Sequence, residues 1–158
     1  MPHRKSDEVY LFGNPPYLGA RKQSKIQKSD LASALGELKG KNSLDYIAGW
    51  FIKGAQYIKE SASELAFVTT NSICQGEQVS IIWPNIFKKG CTISFAYKSF
   101  KWRNNAKNNA GVTVSIIGLA YSKKYNGSKQ IIDGSYSTHV ENISPYLSKG
   151  TDSVVEKQ

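Results

Sequence analysis

The sequence predicts an α/β fold, and three observations carry that prediction. Short apolar or β-branched runs of strand length alternate with stretches whose apolar residues recur every three or four positions, the pattern of strands joined by crossover helices. The strand-like runs end in glycine, proline and asparagine, which punctuate strand ends. Of 158 residues, 40% are hydrophobic and 11% aromatic, which suits one packed domain, or part of a larger one, and excludes a disordered chain.

Val9-Tyr10-Leu11-Phe12 is an apolar run closed by Gly13-Asn14-Pro15-Pro16, the length and punctuation of a buried strand that ends in a sharp loop. Residues 21–41 are basic and polar, with Gly36 and Gly40 against long regular structure, so a loop with at most one short helix is expected. Leu44, Ile47, Ala48, Phe51, Ile52, Ala55 and Ile58 fall at helical spacing and predict a helix over 44–58, with Asn42 or Ser43 as N-cap. Residues 65–69 form a second strand, and Thr70-Asn71-Ser72 opens the loop after it. Val79, Ile82, Trp83, Ile86 and Phe87 mark a second amphipathic helix that Pro84 should kink or restart and Gly90 should stop. Ile93, Phe95 and Tyr97 alternate with smaller or polar residues, and 112–119 is strongly β-branched, so two strands should pair antiparallel around a loop over 100–111. Beyond Tyr121 the composition turns to Ser, Gly, Lys and Asn, anchored by Ile131-Ile132 and Pro145-Tyr146-Leu147, which predicts a peripheral strand and then a linker.

This order implies a parallel sheet of four core strands carrying one antiparallel strand. Open sheets bind ligands at the carboxyl ends of their strands, so residues 14–17, 70–75 and 100–105 should cluster there.

With 21 Lys plus Arg against 12 Asp plus Glu, the chain carries a formal charge of +9. That balance favours polyanionic partners through counterion release, although solubility alone explains it equally well. Cys74 and Cys91 sit in apolar surroundings without CxxC or Cys/His spacing, which points to buried free thiols and against a disulfide framework or metal site. His3 and His139 are isolated among polar residues and read as surface histidines. Residues 1–8 lack an apolar targeting segment, and no run reaches the roughly 20 apolar residues of a membrane span, so a cytoplasmic location is expected.

Asn14-Pro15-Pro16-Tyr17 is the motif that carries chemistry. Methylating an exocyclic amine requires acceptors that hold the NH2 hydrogens and leave the nitrogen lone pair aimed at an electrophilic methyl. The Asn14 side-chain carbonyl and the Pro15 backbone carbonyl can each accept one hydrogen, while two prolines fix φ and add no donors. Tyr17 can stack on a base, returning roughly 1–3 kcal/mol of the few that extruding it costs. A plain proline-rich turn and an Asn-Pro-x-Tyr sorting signal use the same letters, but a sorting signal lies in an exposed tail, and this motif follows an apolar strand directly.

At this point the chain resembles the amino-methyltransferases that share the motif, and more narrowly the MmeI-like DNA methylases of fused restriction and modification enzymes. The resemblance spans residues 12–147. It rests on Gly13-Asn14-Pro15-Pro16-Tyr17-Leu18-Gly19, Leu44-Asp45-Tyr46, Phe67-Val68-Thr69-Thr70-Asn71-Ser72-Ile73 with Gln75-Gly76-Glu77-Gln78, Phe100-x-Trp102-x-Asn104, and Asn142-Ile143-Ser144-Pro145-Tyr146-Leu147. Asn-Pro-Pro-Tyr alone occurs also in methylases of ribosomal RNA guanine and of release-factor glutamine.

The resemblance implies a partial class I S-adenosylmethionine-dependent methyltransferase fold, Rossmann-like, with an antiparallel last strand. Residues 1–121 would be the C-terminal half of the catalytic domain, and 122–158 a peripheral strand and linker toward a target recognition domain. Asn14, Pro15, Pro16 and Tyr17 would be catalytic. Phe100, Trp102 and Asn104 would lie against the flipped adenine, with core packing as the competing role for either aromatic. Asp45 and Tyr46 would lie near the cofactor, although a helix-start charge is an equal account of Asp45. Glu77 and Gln78 are typical of the family, with helix capping as their plain explanation. Arg21, Lys22, Lys25, Lys101, Arg103 and Lys107 would hold phosphates of double-stranded DNA beside the pocket, or simply be solvated.

The family's glycine-rich turn for S-adenosylmethionine has no counterpart, since the sequence contains no GxG. Most of the cofactor site is therefore expected on a missing segment or a second polypeptide, as is target recognition. The strand over 9–12 should then be an open edge and the chain inactive alone. The rival expectations are a non-catalytic nucleic-acid-binding remnant and a piece of an RNA or protein methylase.

Overall fold

The computed structural model describes residues 7–102 and 112–154. Six strands, β1 (Tyr10–Gly13), β2 (Glu64–Thr70), β3 (Cys91–Trp102), β4 (Val112–Tyr121), β5 (Lys129–Asp133) and β6 (Tyr136–Val140), form one sheet in the order β1-β2-β4-β3-β5-β6. β1 and β2 are parallel, β4 runs antiparallel to both β2 and β3, β5 is parallel to β3, and β6 is antiparallel to β5. Gly13, Phe67, Ile117, Ala96 and Ile131 lie level across five strands. The α/β class and the antiparallel 93–119 pair are as expected. The sheet has six strands instead of four core strands and one peripheral strand, because the segment beyond Tyr121 folds back as a β5–β6 ribbon and adds a second antiparallel strand.

Three helices are found among the described residues: α1 (Lys25–Leu35), α2 (Ile47–Ile58) and α3 (Glu77–Lys88). α1 is a three-turn helix, longer than the one short helix at most that this loop was expected to hold. Its inward side is only Leu31 and Leu35, so apolar periodicity is faint, and its ends carry the signal. Ser24 and Gln27 form a reciprocal capping box, and Gly36 ends the helix at φ 57°. α2 begins at Ile47, three residues later than its periodicity suggests, since Lys41–Ser43 form a 3₁₀ turn and the cap position is Tyr46. The orphan amide of Ile47 is satisfied by Asp45 instead (3.1 Å). α3 runs unbroken through Pro84, which lies exposed, so the carbonyl left unbonded can be hydrated while Val79, Ile82, Trp83 and Ile86 hold the other side.

α2 is the central helix of the core. Phe51 meets Phe67 edge-on (5.5 Å) and Trp83 at 6.5 Å, joining helix, sheet and α3. At Gly54 the helix lies so close to β2 that a Cβ would stand 2.5 Å from Leu65 Cδ2.

Cys74 and Cys91 are free and buried in this core. Burial pushes their thiols up to about 12 and about 11, Lys89 and Lys59 tempering the second. Only thiolate reacts with alkylating reagents, so neither cysteine should be modified by iodoacetamide in the folded chain at pH 8. Mass spectrometry should then find two adducts after denaturation and none before.

Candidate nucleic-acid and methyl-acceptor site

β1, β2, β3 and β5 run the same way, so the ends of these strands at Gly13, Thr70, Trp102 and Asp133 share one edge of the sheet, together with the start of β4. The three segments expected to meet at the carboxyl ends, as far as they are described, begin along that edge. Asn14 is exposed, Pro15 buried, and Tyr17 half-buried against the core. Phe100 and Trp102 belong to β3 itself, not to a loop, with Phe100 level with Val114 and Thr70. The rings of Tyr97, Phe100 and Trp102 form a ladder, with centroids 5.1 and 6.2 Å apart. β2 and β4 separate this ladder from the 14–17 turn, three strand spacings or about 14 Å.

The turn is anchored from behind through Leu18. The Leu18 amide donates to Asp45 Oδ1 (2.8 Å), and the Leu18 carbonyl accepts from the Tyr46 amide (3.0 Å) and from Gln23 Nε2 (2.8 Å). Gln23 Nε2 also donates to the Leu44 carbonyl (2.9 Å), and the Asp45 amide donates to Gln78 Oε1 (2.8 Å). Gln23 and Asp45 are 8% and 6% exposed, so these bonds are largely sheltered from water. A chain leaving two prolines is thereby clamped to the start of α2 and to α3. Sequence reasoning missed Gln23 and could give Gln78 no task; a glutamine in a basic loop carries no periodic signal, and its role exists only once α1, α2 and α3 are packed. Asp45→Ala should leave the Leu18 and Ile47 amides without an acceptor, at roughly 1–3 kcal/mol each. Faster hydrogen exchange at Leu18 than at Phe67 on β2 would register the loss.

Asn14, Pro15 and Pro16 form one wall of an open groove of about 730 Å³ whose other residues include Tyr10 and Phe12 of β1 and Trp50, Lys53 and Tyr57 of α2. Tyr10 and Phe12 are 61% and 84% exposed, and among the described residues β1 pairs on one side only. Tyr46 lines a neighbouring cleft between α1 and α2, its hydroxyl 3.4 Å from Asp30; burial and that carboxylate raise its phenol above the ordinary value. Among the described residues no carboxylate lines the groove, and no glycine-rich turn closes a strand beside it.

Arg21 and Lys22 lie in the 3₁₀ turn Ala20–Lys22 just past the motif, Lys25 opens α1, and Lys101 is on β3; all four are exposed. Lys98 is ion-paired with Asp133 (3.2 Å). Arg103, Asn104 and Lys107 lie outside the described residues. Among the described residues no group of His, Cys, Asp and Glu could hold a metal ion, and no helix is long and apolar enough to cross a membrane.

A profile of the MmeI DNA-methyltransferase domain matches residues 1–133, most of the chain. The chain belongs to the MmeI DNA-methyltransferase domain family. It is 51% identical to DNA methyltransferase A of Bacillus subtilis (strain 168) over 158 residues, 99% of this chain and 18% of that protein. Its fold superposes with a TM-score of 0.87 and 40% identity on the type IIL restriction-modification enzyme MmeI, solved in complex with DNA, over 95% of this chain and 21% of that one. The chain thus spans about a fifth of the length of each relative. The MmeI family resemblance read from the ordered motifs, with the Rossmann-like methyltransferase fold it implied, holds.

Proposed function

We propose that this chain supplies the target-base half of an N6-adenine DNA methyltransferase of a restriction-modification system. The observation that carries the reading is the exposed Asn14 at the carboxyl edge of the sheet, on a turn whose far end is clamped at Leu18. Asn14 Oδ1 and the Pro15 carbonyl hold the two hydrogens of an extruded adenine's amino group, and their negative ends stabilise positive charge that builds on N6. Tyr17 stacks on the base, and the Phe100–Trp102 ladder covers it from across the edge. Arg21, Lys22, Lys25 and Lys101 hold phosphates on either side. Asp45 serves the turn through Leu18, while Tyr46 lines the neighbouring cleft between α1 and α2.

S-adenosylmethionine is the methyl donor this reading implies. The missing parts of its site come from a further segment or a second polypeptide, docked where β1 lacks a neighbour and Tyr10 and Phe12 stand exposed; an open apolar edge of this kind recruits a strand. That segment, or another, also carries target recognition.

The test is methyl transfer from labelled S-adenosylmethionine by the chain alone and together with a segment carrying a glycine-rich turn, on DNA, RNA and peptide. Label in DNA only when both parts are present is the expected result. Turnover by the chain alone, or label in RNA or peptide, would refute it. DNA binding that weakens with salt and ignores both Asn14→Ala and cofactor would favour a binding remnant.

A further inference from the structure

We propose that Asn71 is a positioning residue that fixes which face of the sheet Phe100 and Trp102 present to the base, an inference that rests on the function proposed above. The irregularity that makes this necessary lies in β3. Between the pairs Tyr97↔Ile116 and Phe100↔Val114, β3 has one more residue than β4, so Lys98 and Ser99 bulge opposite Ser115. Were this bulge lost, the register beyond it would slip by one residue and turn every side chain there to the opposite face, Phe100 and Trp102 among them.

Asn71 closes off that slippage. It is the first residue after β2, whose Thr69 is level with Ser115, and its Oδ1 accepts hydrogen bonds from both Ser99 Oγ and Ser115 Oγ, each at 2.9 Å. One side-chain oxygen therefore joins the bulge, the strand opposite it and the end of β2. Ser115 is fully buried, so its hydroxyl needs this acceptor. Asn71 is itself held at its base: Trp83 Nε1 donates to the Ile73 carbonyl (2.6 Å), pinning the 3₁₀ turn Asn71–Ile73 to α3. On the far side, Tyr97 donates to the Gly134 carbonyl (3.2 Å) and Lys98 pairs with Asp133, so the bulge is bonded from both flanks. A cavity of about 270 Å³ lined by Asn71, Gln75, Ser99 and Tyr146 leaves the clamp room to be displaced once the acceptor is lost.

The test has two arms. In a Trp50→Phe background of the isolated chain, with Trp83 buried, acrylamide quenching reports on Trp102. Asn71→Ala and the pair Ser99→Ala/Ser115→Ala should each change the quenching constant at least twofold, the triple variant should add nothing further, and Asn71→Asp, which keeps an acceptor, should behave as wild type. Ser99→Ala alone, at an exposed position, carries this arm if Asn71→Ala fails to fold. Unchanged quenching, or Asn71→Asp behaving like alanine, would overturn the clamp. In the second arm, the chain with its cofactor-binding segment should lose about tenfold in kcat on Asn71→Ala, with KM for DNA within twofold. Altered quenching with unaltered kcat would sever the clamp from the site. A wild-type assembly that transfers no methyl would count against the proposed function, while the quenching arm still decides the clamp.

Discussion

Asn14→Ala is expected to reduce methyl transfer by roughly a hundredfold or more, the scale on which one preorganised partner of developing charge contributes. Affinity for DNA should stay within about twofold, because phosphate contacts dominate affinity and Asn14 makes none of them. The split is diagnostic. Asn14 is exposed just past the end of β1, so truncating it leaves no buried cavity. A loss of kcat with unchanged binding and unchanged melting temperature is therefore an effect on the acceptor of the amino hydrogens. Asn14→Asp keeps the acceptor oxygen and should recover part of the activity. Single-turnover methylation beside fluorescence anisotropy on the same DNA checks both halves.

Trp83→Ala should have the largest effect on stability. Trp83 is fully buried, tilted against Phe51 at 6.5 Å and Phe87 at 5.6 Å, and its indole NH is bonded to the Ile73 carbonyl. Truncating a buried aromatic of this size costs about 3–5 kcal/mol from lost burial and the cavity left behind. The orphaned carbonyl adds to that. Since a domain's whole stability is about 5–15 kcal/mol, the urea midpoint should fall by about a fifth or more of its value. Trp83→Phe keeps an aromatic ring in the core, gives up part of the burial and removes the donor, so it should lose less than Trp83→Ala, about 1–3 kcal/mol. The contrast separates the core role of Trp83 from its hold on the turn that begins with Asn71.

The elements that could be read from the sequence were those with a single dominant pattern. β2 alternates buried and half-buried residues along its length, α2 and α3 carry broad apolar stripes, and Gly13-Asn14-Pro15-Pro16 is unambiguous punctuation. α1 was hidden because two buried leucines in eleven residues make too narrow a stripe, and its Ser24–Gln27 capping box and Gly36 stop went unread. Phe100 and Trp102 were placed in a loop because the bulge at Lys98 and Ser99 breaks the alternation that continues beyond it. The β5–β6 ribbon is polar, with only Ile131 fully inward, so a two-residue anchor was all the pattern offered. For the site, the Asn14–Tyr17 motif announced itself through chemistry. Gln23, Gln78 and Asn71 did not, since each bonds a backbone or hydroxyl group at least 21 residues away in sequence, Gln23 joining Leu44 to the nearby Leu18.

Nucleoside analysis of DNA from cells expressing the full assembly, with wild-type chain or Asn14→Ala, bears most directly on the claim that the 14–17 turn grips an adenine amino group. N6-methyladenine should accumulate with the wild-type chain and fall to background with the variant. Methyl groups on cytosine carbon, or N6-methyladenine at equal levels in both, would contradict it.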